Sequence, residues 1–219
     1  MTLISTWVKI GTVPKLELDH LVIAATSLEE GSAFVREQLG LELQNGGQHE
    51  RMGTHNKLLR LNAGTYLEVI AVDPVAVKPN VPRWFGLDSF DGPPRLLHWV
   101  VRLTDGDLEQ VRLPEHGPVH PMARGAFSWR ITIPSDGSLP GDGLIPTLIA
   151  WDTGSSHPSA VLEPSGCSLI KLEGTHPEAD RIFNQLAILG VEDWIALGPG
   201  PISLRATLRI ASEMKFLAF

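Results

Sequence analysis

Apolar and polar residues recur along this chain with two different periods, and each change of period marks an element. Residues 16–24 read Leu-Glu-Leu-Asp-His-Leu-Val-Ile-Ala, apolar and β-branched enough for a buried strand. The strand stops before Ser27-Leu28-Glu29-Glu30, where a hydroxyl can accept from an orphan helix N–H and a glutamate can reach back. Leu28, Val35 and Leu39 then recur at helical spacing, and Gly40 stands where a helix end takes the left-handed conformation. A polar stretch through Gly46-Gly47 follows, then a strand over 56–61, the turn Asn62-Ala63-Gly64 and a strand over 65–72. The unit reads β-α-β-β-β.

This unit repeats. Leu97-His98-Trp99-Val100-Val101 echoes Asp19-His20-Leu21-Val22-Ile23 at an offset of 78 residues, and the same offset carries Thr26-Ser27 onto Thr104-Asp105, a second helix start. Strands over 128–134 and 144–152 complete a second unit whose helix, near 108–113, is short. A third starts at Cys167 with a strand over 168–173 and a helix start at Thr175-His176-Pro177-Glu178. Apolar Ile182, Phe183, Leu186 and Leu189 precede Gly190, and strands follow near 193–197 and 202–210. The expected class is α+β, with β-α-β-β-β modules at 16–74 and 95–153 and a third, partial module at 167–219. The Gly-, Pro- and Asp-rich segments 73–94, 135–143 and 154–166 are connections. The way 79–94 and 135–143 fold over the sheets sets the pocket size.

Composition narrows the function classes. Of 219 residues, 43% are hydrophobic and 20% charged, as in globular proteins, and 21 Gly with 17 Pro suit many short strands. A net charge of −7, without a basic stripe to neutralise phosphates, argues against a nucleic-acid partner. Cys167, the one cysteine, reads as a small buried apolar residue in a reducing compartment. Residues 1–9 lack a basic segment followed by a long apolar run, and no stretch approaches the roughly 20 apolar residues of a membrane span. A cytoplasmic protein with no membrane association is expected.

Strand alternation places His20 and Val22 on one face and Leu21 and Ile23 on the other, under the helix. By the same rule Glu68 shares a face with Tyr66 and Ile70, and His98 with Val100 and Arg102. Two imidazoles and a carboxylate on helix-free faces form a donor set for a divalent metal ion such as Zn, Ni, Mn or Fe, with positions open to substrate. A lone strand histidine is more often a satisfied core residue; the matched offset favours the metal. The last strand of the second unit, Thr147-Leu148-Ile149-Ala150-Trp151, carries no acid or imidazole to match Glu68. His55 and Asn56 either orient a substrate or cap a hairpin. Arg102 and Arg130, opposite apolar neighbours, would hold an anionic or carbonyl-bearing ligand if turned inward, and otherwise lie at a solvated strand edge. Trp99, Trp129 and Trp151 read as core anchors, and His116, His120, His157 and His176 as surface residues or helix caps. No nucleotide-binding glycine loop, nucleophile elbow or HExxH helix is present.

The unit order together with Asp19-His20-Leu21-Val22-Ile23, Gly53-Thr54-His55-Asn56 and residues 66–74 resembles the vicinal oxygen chelate superfamily, in its glyoxalase-like domain branch. Residues 129–134, 143–151 and His157-Pro158 resemble the same branch. The resemblance implies paired modules in a cupped, incomplete barrel around a divalent ion, with His20, Glu68 and His98 as ligands and Ala150 or a neighbour in the fourth slot. It also implies chemistry in which the metal, as a Lewis acid, chelates adjacent substrate oxygens, as in isomerases, lyases and dioxygenases. The leading reading is a metal-dependent enzyme acting on a small polar molecule with vicinal oxygens. Arg102, Arg130, His55 and Asn56 would orient the substrate, and Glu68 could instead leave the metal to act as base. A second reading is a metal-free cup that binds or sequesters an apolar or aromatic small molecule. A third is a homodimer built through exposed sheet edges.

Overall fold

The computed structural model describes residues 15–62 and 64–218, so the expectation for residues 1–9 lies outside the described residues. The first module comprises β1 (Lys15–Ala24), α1 (Leu28–Leu39), β2 (Gln44–His49), β3 (Thr54–Arg60) and β4 (Tyr66–Val72). The second comprises β5 (Arg95–Asp105), α2 (Leu108–Val111), β6 (Val119–Arg124), β7 (Phe127–Thr132) and β8 (Thr147–Trp151). Their strands form one eight-stranded sheet in the order β2-β3-β4-β1-β5-β8-β7-β6. The modules therefore meet where β1 runs antiparallel to β5. The sheet curls into a nearly closed barrel whose two edges are tied by side chains: Arg51 donates to the Pro121 carbonyl at 3.3 Å, and Arg124 to Asn56 Oδ1 at 2.7 Å.

Local chemistry accounts for the helix limits. Ser27 Oγ accepts from the Glu30 N–H at 3.1 Å, and Gly40 closes α1 at φ 70°. The Glu30 carboxylate meets the Thr26 hydroxyl rather than reaching back to Ser27. The polar stretch after α1 is a strand, β2, with an irregular register between Asn45 and Gln48. Glycine is required there: a Cβ on Gly46 would overlap the Asn56 amide, whose oxygen also accepts the Gly47 N–H at 2.9 Å.

Because α2 is a single turn, it cannot cover the outer face of β5 and β8. A C-terminal unit does so. After β8 comes the helical turn α3 (Pro158–Val161), then β9 (Cys167–His176), α4 (Ala179–Leu189), β10 (Ile195–Pro199), β11 (Ser203–Ile210) and β12 (Glu213–Ala218). Leu186, Leu204 and Leu208 of this unit share one core with Trp99, Leu144 and Leu148 of the second module. Full burial of each such leucine is worth about 1.5–3 kcal/mol. The unit has the element order of a module but different wiring. In its sheet, β10-β9-β11-β12, the first strand lies inside, whereas β1 pairs in parallel with the last strand of its own module, β4. His176 starts α4 by accepting the Glu178 N–H at 2.9 Å, and Gly190 ends it at φ 72°. Ile182, Leu186 and Leu189 are buried, whereas Phe183 is half-exposed. Cys167 is buried, and burial pushes its thiol up to about 11, in keeping with an apolar role.

Candidate functional site

The face of the sheet free of helices forms the inside of the cup. Leu21 and Ile23 lie in the outer core, while Val22, Ile70 and Val100 line the inner one. Strict alternation breaks at one point of β1. Leu18 pairs with Val101 and His20 with Val100, so Asp19 is the extra residue of a bulge. The bulge lets neighbours in sequence meet: His20 Nδ1 donates to Asp19 Oδ1 at 2.7 Å.

This contact fixes the imidazole so that its other nitrogen, Nε2, lies 3.5 Å from Glu68 Oε2. The second Glu68 oxygen accepts from Asn56 Nδ2. Behind His20, Asp19 Oδ2 accepts from Trp151 Nε1 and His157 Nε2, both at 2.9 Å. His157 also caps α3, its Nδ1 accepting the Ser159 N–H at 3.2 Å. Burial alone would lower the His20 pKa, but Asp19 and Glu68 outweigh it and hold the ring up at about 9. Burial would raise the Glu68 and Asp19 carboxyls. Hydrogen bonds and charge from His20, joined for Asp19 by His157, hold both well below the usual carboxylate range. The buried trio is thus an anion–cation–anion row.

His20, Glu68, Asn56, His49, Tyr66 and Arg124 form the polar wall of a cavity of about 30 Å³, space for a water or two. Trp84, Phe85, Trp129, Ile131, Ile149 and Trp151 form its apolar wall. Trp84 and Phe85 belong to a short 3-10 turn (Trp84–Gly86) in the connection between the modules, so that connection plugs the cup. Phe85 sits at φ 58°, a left-handed conformation that is uncommon for a bulky side chain. The Gly86 N–H anchors the turn to the Gly137 carbonyl at 2.7 Å, in the second connection.

The second module repeats the trio's positions with other residues. Val22 pairs with His98 and Ile23 with Leu96, so Leu97 is the extra residue of a second bulge, in the place of Asp19. Glu68 pairs with Val22, and Thr147 with Val100, the counterpart of Val22. Thr147 therefore stands in the slot of Glu68, and Ala150 faces the outer core. His98 Nδ1 donates to the Gly143 carbonyl at 3.0 Å, and Nε2 accepts the Thr147 N–H at 3.1 Å. Burial lowers the His98 pKa to about 3, so the ring is neutral.

Of the residues singled out from sequence, the structure brings His20, Glu68 and Asn56 together. His98 lies on the cup face beneath Phe85, ring centroids 5.5 Å apart, but does not line the cavity. His55 alternates with Asn56 and is not a lining residue. Arg102 is not a cavity-lining residue but reaches the site from behind, 3.7 Å from Asp19 Oδ2, while donating to the Leu18 and Gly64 carbonyls at 3.1 and 2.5 Å and pairing with Glu17. It borders an outer groove of about 370 Å³ together with His157. Arg130 is half-exposed, 3.8 Å from Asp107 and 3.9 Å from Asp152. Sequence reading missed Asp19, His49, Arg124, Trp84 and Phe85 as site residues; Trp129 and Trp151, read as core anchors, do pack in the inner core and also line the cavity.

The glyoxalase-like domain family matches residues 18–190 of this chain. The chain belongs to the glyoxalase-like domain family. This membership places it in the vicinal oxygen chelate superfamily. A hypothetical protein from Staphylococcus aureus is similar in fold, with TM-score 0.59 and 16% identity over 80% of this glyoxalase-like chain and 75% of its own. Methylmalonyl-CoA epimerase from Streptomyces coelicolor matches with TM-score 0.42 and 19% identity, covering 64% of this chain and 97% of its own. The epimerase from Mycobacterium tuberculosis matches with TM-score 0.41 and 17% identity, covering 61% of this chain and 85% of its own. No curated protein matches the sequence. Among the described residues no helix is long and apolar enough to cross a membrane.

A divalent ion is the usual partner of the vicinal oxygen chelate superfamily, and two donors of this glyoxalase-like domain stand at a spacing that bears on it. The 3.5 Å between His20 Nε2 and Glu68 Oε2 suits two ligands each roughly 2.1 Å from one tetrahedral ion. Among the described residues the second module supplies no third ligand, because both His98 nitrogens are engaged and Thr147 replaces the second acid. Among the described residues no group of three or more His, Cys, Asp or Glu side chains is arranged to hold a metal ion. The donor set does not fit a three-ligand centre.

Proposed function

We propose that this chain is an enzyme acting on a small polar molecule with adjacent oxygens, and that Glu68 and His20 perform a proton transfer beside a carbonyl. The observation that carries this reading is the 3.5 Å approach of Glu68 Oε2 to His20 Nε2 on the wall of a buried cavity, with Asp19 behind the imidazole. In the proposed step the ionised Glu68 takes a proton from the carbon next to the carbonyl. The C–H electron pair moves into an enolate, whose oxygen accepts a hydrogen bond from His20 Nε2–H. Return of the proton gives an isomer, or an exchanged substrate. Asn56 holds the carboxylate in place, and Asp19 keeps the imidazole charged and correctly turned. The protonated imidazole thereby takes the electrophilic role.

Deuterium incorporation beside the carbonyl of small 2-oxo and 2-hydroxy acids in heavy water, followed by proton NMR, tests the reading. Exchange catalysed by the wild type and reduced roughly 10²–10⁴-fold in Glu68→Gln supports it; equal exchange in the variant sinks it. A second reading, a metal-free protein that binds a small molecule without turnover, is favoured by the aromatic wall of Trp84, Trp129 and Trp151. Tight binding with no exchange in any substrate would make it the better one.

A further inference from the structure

We infer that the ligand of this cavity carries a carboxylate, received by the Trp84 indole N–H and the Arg124 guanidinium; this rests on the cavity being the functional site. The acidic oxygens of the site already have protein donors: Glu68 faces Asn56 and His20, and Asp19 faces His20, Trp151 and His157. Donors, in contrast, are left over. Trp84 lines the cavity, is only 3% exposed, and its Nε1 has no acceptor among the described residues. A buried donor without an acceptor is costly, and a ligand oxygen relieves that cost.

Arg124, whose guanidinium also lies 5.4 Å from the Phe127 ring centroid, is the second donor of the cavity. It lines the same cavity and donates to Asn56 Oδ1 at 2.7 Å, yet no carboxylate pairs with it among the described residues. A guanidinium has five N–H donors in a planar fork, and its strongest partner is an anionic oxygen pair. Trp84 comes from the connection between the modules and Arg124 from β6, so the acceptor group is gripped from two sides of the cup. The rest of the ligand faces Trp129, Trp151, Ile131 and Ile149, an apolar wall with aromatic faces. The class that satisfies both is a small carboxylate with an apolar or aromatic body. The cavity of about 30 Å³ takes such a body only when the Phe85 ring gives way.

The test compares mandelate, salicylate and phenylpyruvate with the neutral amides of the same three acids, by calorimetry and by ¹H–¹⁵N spectra of the indole groups. At least one acid is expected to bind, with its amide about tenfold weaker or more. The Trp84 indole signal, assigned by its loss in Trp84→Phe, is expected to shift on binding. Arg124→Gln is expected to weaken the acid about tenfold and leave the amide unchanged. Should Trp84→Phe not fold, the Arg124→Gln comparison decides. Equal affinity for acid and amide, an unmoved indole signal, an Arg124→Gln protein that keeps its acid preference, or no binding by any acid would each overturn the inference. Glu68→Gln separates this inference from the catalytic one. If the catalytic reading alone fails, exchange survives in that variant and the acid preference stands. If this inference alone fails, the preference vanishes while exchange still needs Glu68.

Discussion

Asp19 and Leu97 occupy the same place in the two modules: each is the extra residue of a β-bulge, preceding His20 in one case and His98 in the other. An acid at the first bulge holds a charged imidazole over a carboxylate, whereas a leucine at the second leaves a neutral one tied to backbone groups. Asp19→Ala removes the acceptor shared by His20, Trp151 and His157. Leaving the buried His20 charge unpaired on that side is expected to cost about 3–5 kcal/mol, read by urea denaturation, and to bring the His20 titration below about 9 in ring NMR spectra. An unchanged His20 titration would remove Asp19 from the site.

Gly46 lies far from the chemistry in sequence but controls its geometry. A methyl group there overlaps the Asn56 amide that holds Glu68. Gly46→Ala is expected to cost about 1–3 kcal/mol through overpacking. It is also expected to raise the Glu68 pKa, by loss of the Asn56 hydrogen bond, in carboxyl ¹³C titrations. A Glu68 titration that does not move would place Asn56 outside the control of the carboxylate.

Three buried histidines predict acid sensitivity: His49, lowered by burial to about 4, His98 and His116. His98 and His116 are lowered by burial to about 3 and about 4, and His116 Nδ1 accepts the Leu113 N–H at 2.8 Å, an arrangement that protonation breaks. The unfolded chain takes up these protons near 6.5 and the folded chain only at the lower values. Their contribution is therefore complete above about pH 6.5 and lost as pH falls towards about 4. His20 has the opposite sign: raised to about 9, its contribution is complete below about 6.5 and lost as pH rises through about 9. Midpoints of thermal unfolding against pH are expected to peak near 6.5, with a shallower acid limb in His116→Gln. An acid limb unchanged in that variant would remove His116 as its cause.

Metal removal separates proton transfer by side chains from Lewis-acid chemistry. Because no group of three or more His, Cys, Asp or Glu side chains among the described residues is arranged for a metal ion, elemental analysis of protein purified without an affinity tag is expected to find well under one Zn, Ni, Mn or Fe per chain. Dialysis against a chelator is expected to leave catalysed exchange intact. One metal per chain, absent from His20→Ala, would restore the metal-dependent reading.

Much of the site's first half was legible in the sequence. The 78-residue offset and the two-residue period of strands were enough to put His20, Glu68 and His98 on the helix-free face, because both are local properties of the chain. The same period hid Asp19, since a bulge arises from pairing with a second strand and leaves no mark in β1 alone. Arg124, Trp84 and Phe85 stand in segments without a clear period, and their entry into the cup depends on how β6 and the connections close over it.

The sequence by itself determined β1, α1, β3 and β4, the helix caps at Ser27 and Gly40, and the residue types offered to the cup, because hydrogen bonding and apolar periodicity act over a few residues. The tertiary structure decided which donors remain free to act. Partners distant in sequence, Thr147 for His98 and Trp151 and His157 for Asp19, satisfy buried polar groups that must be paired. What they leave over on the cavity wall is the charged His20–Glu68 pair, the Trp84 indole N–H without an acceptor among the described residues, and an Arg124 guanidinium held only through Asn56 and the Phe127 ring.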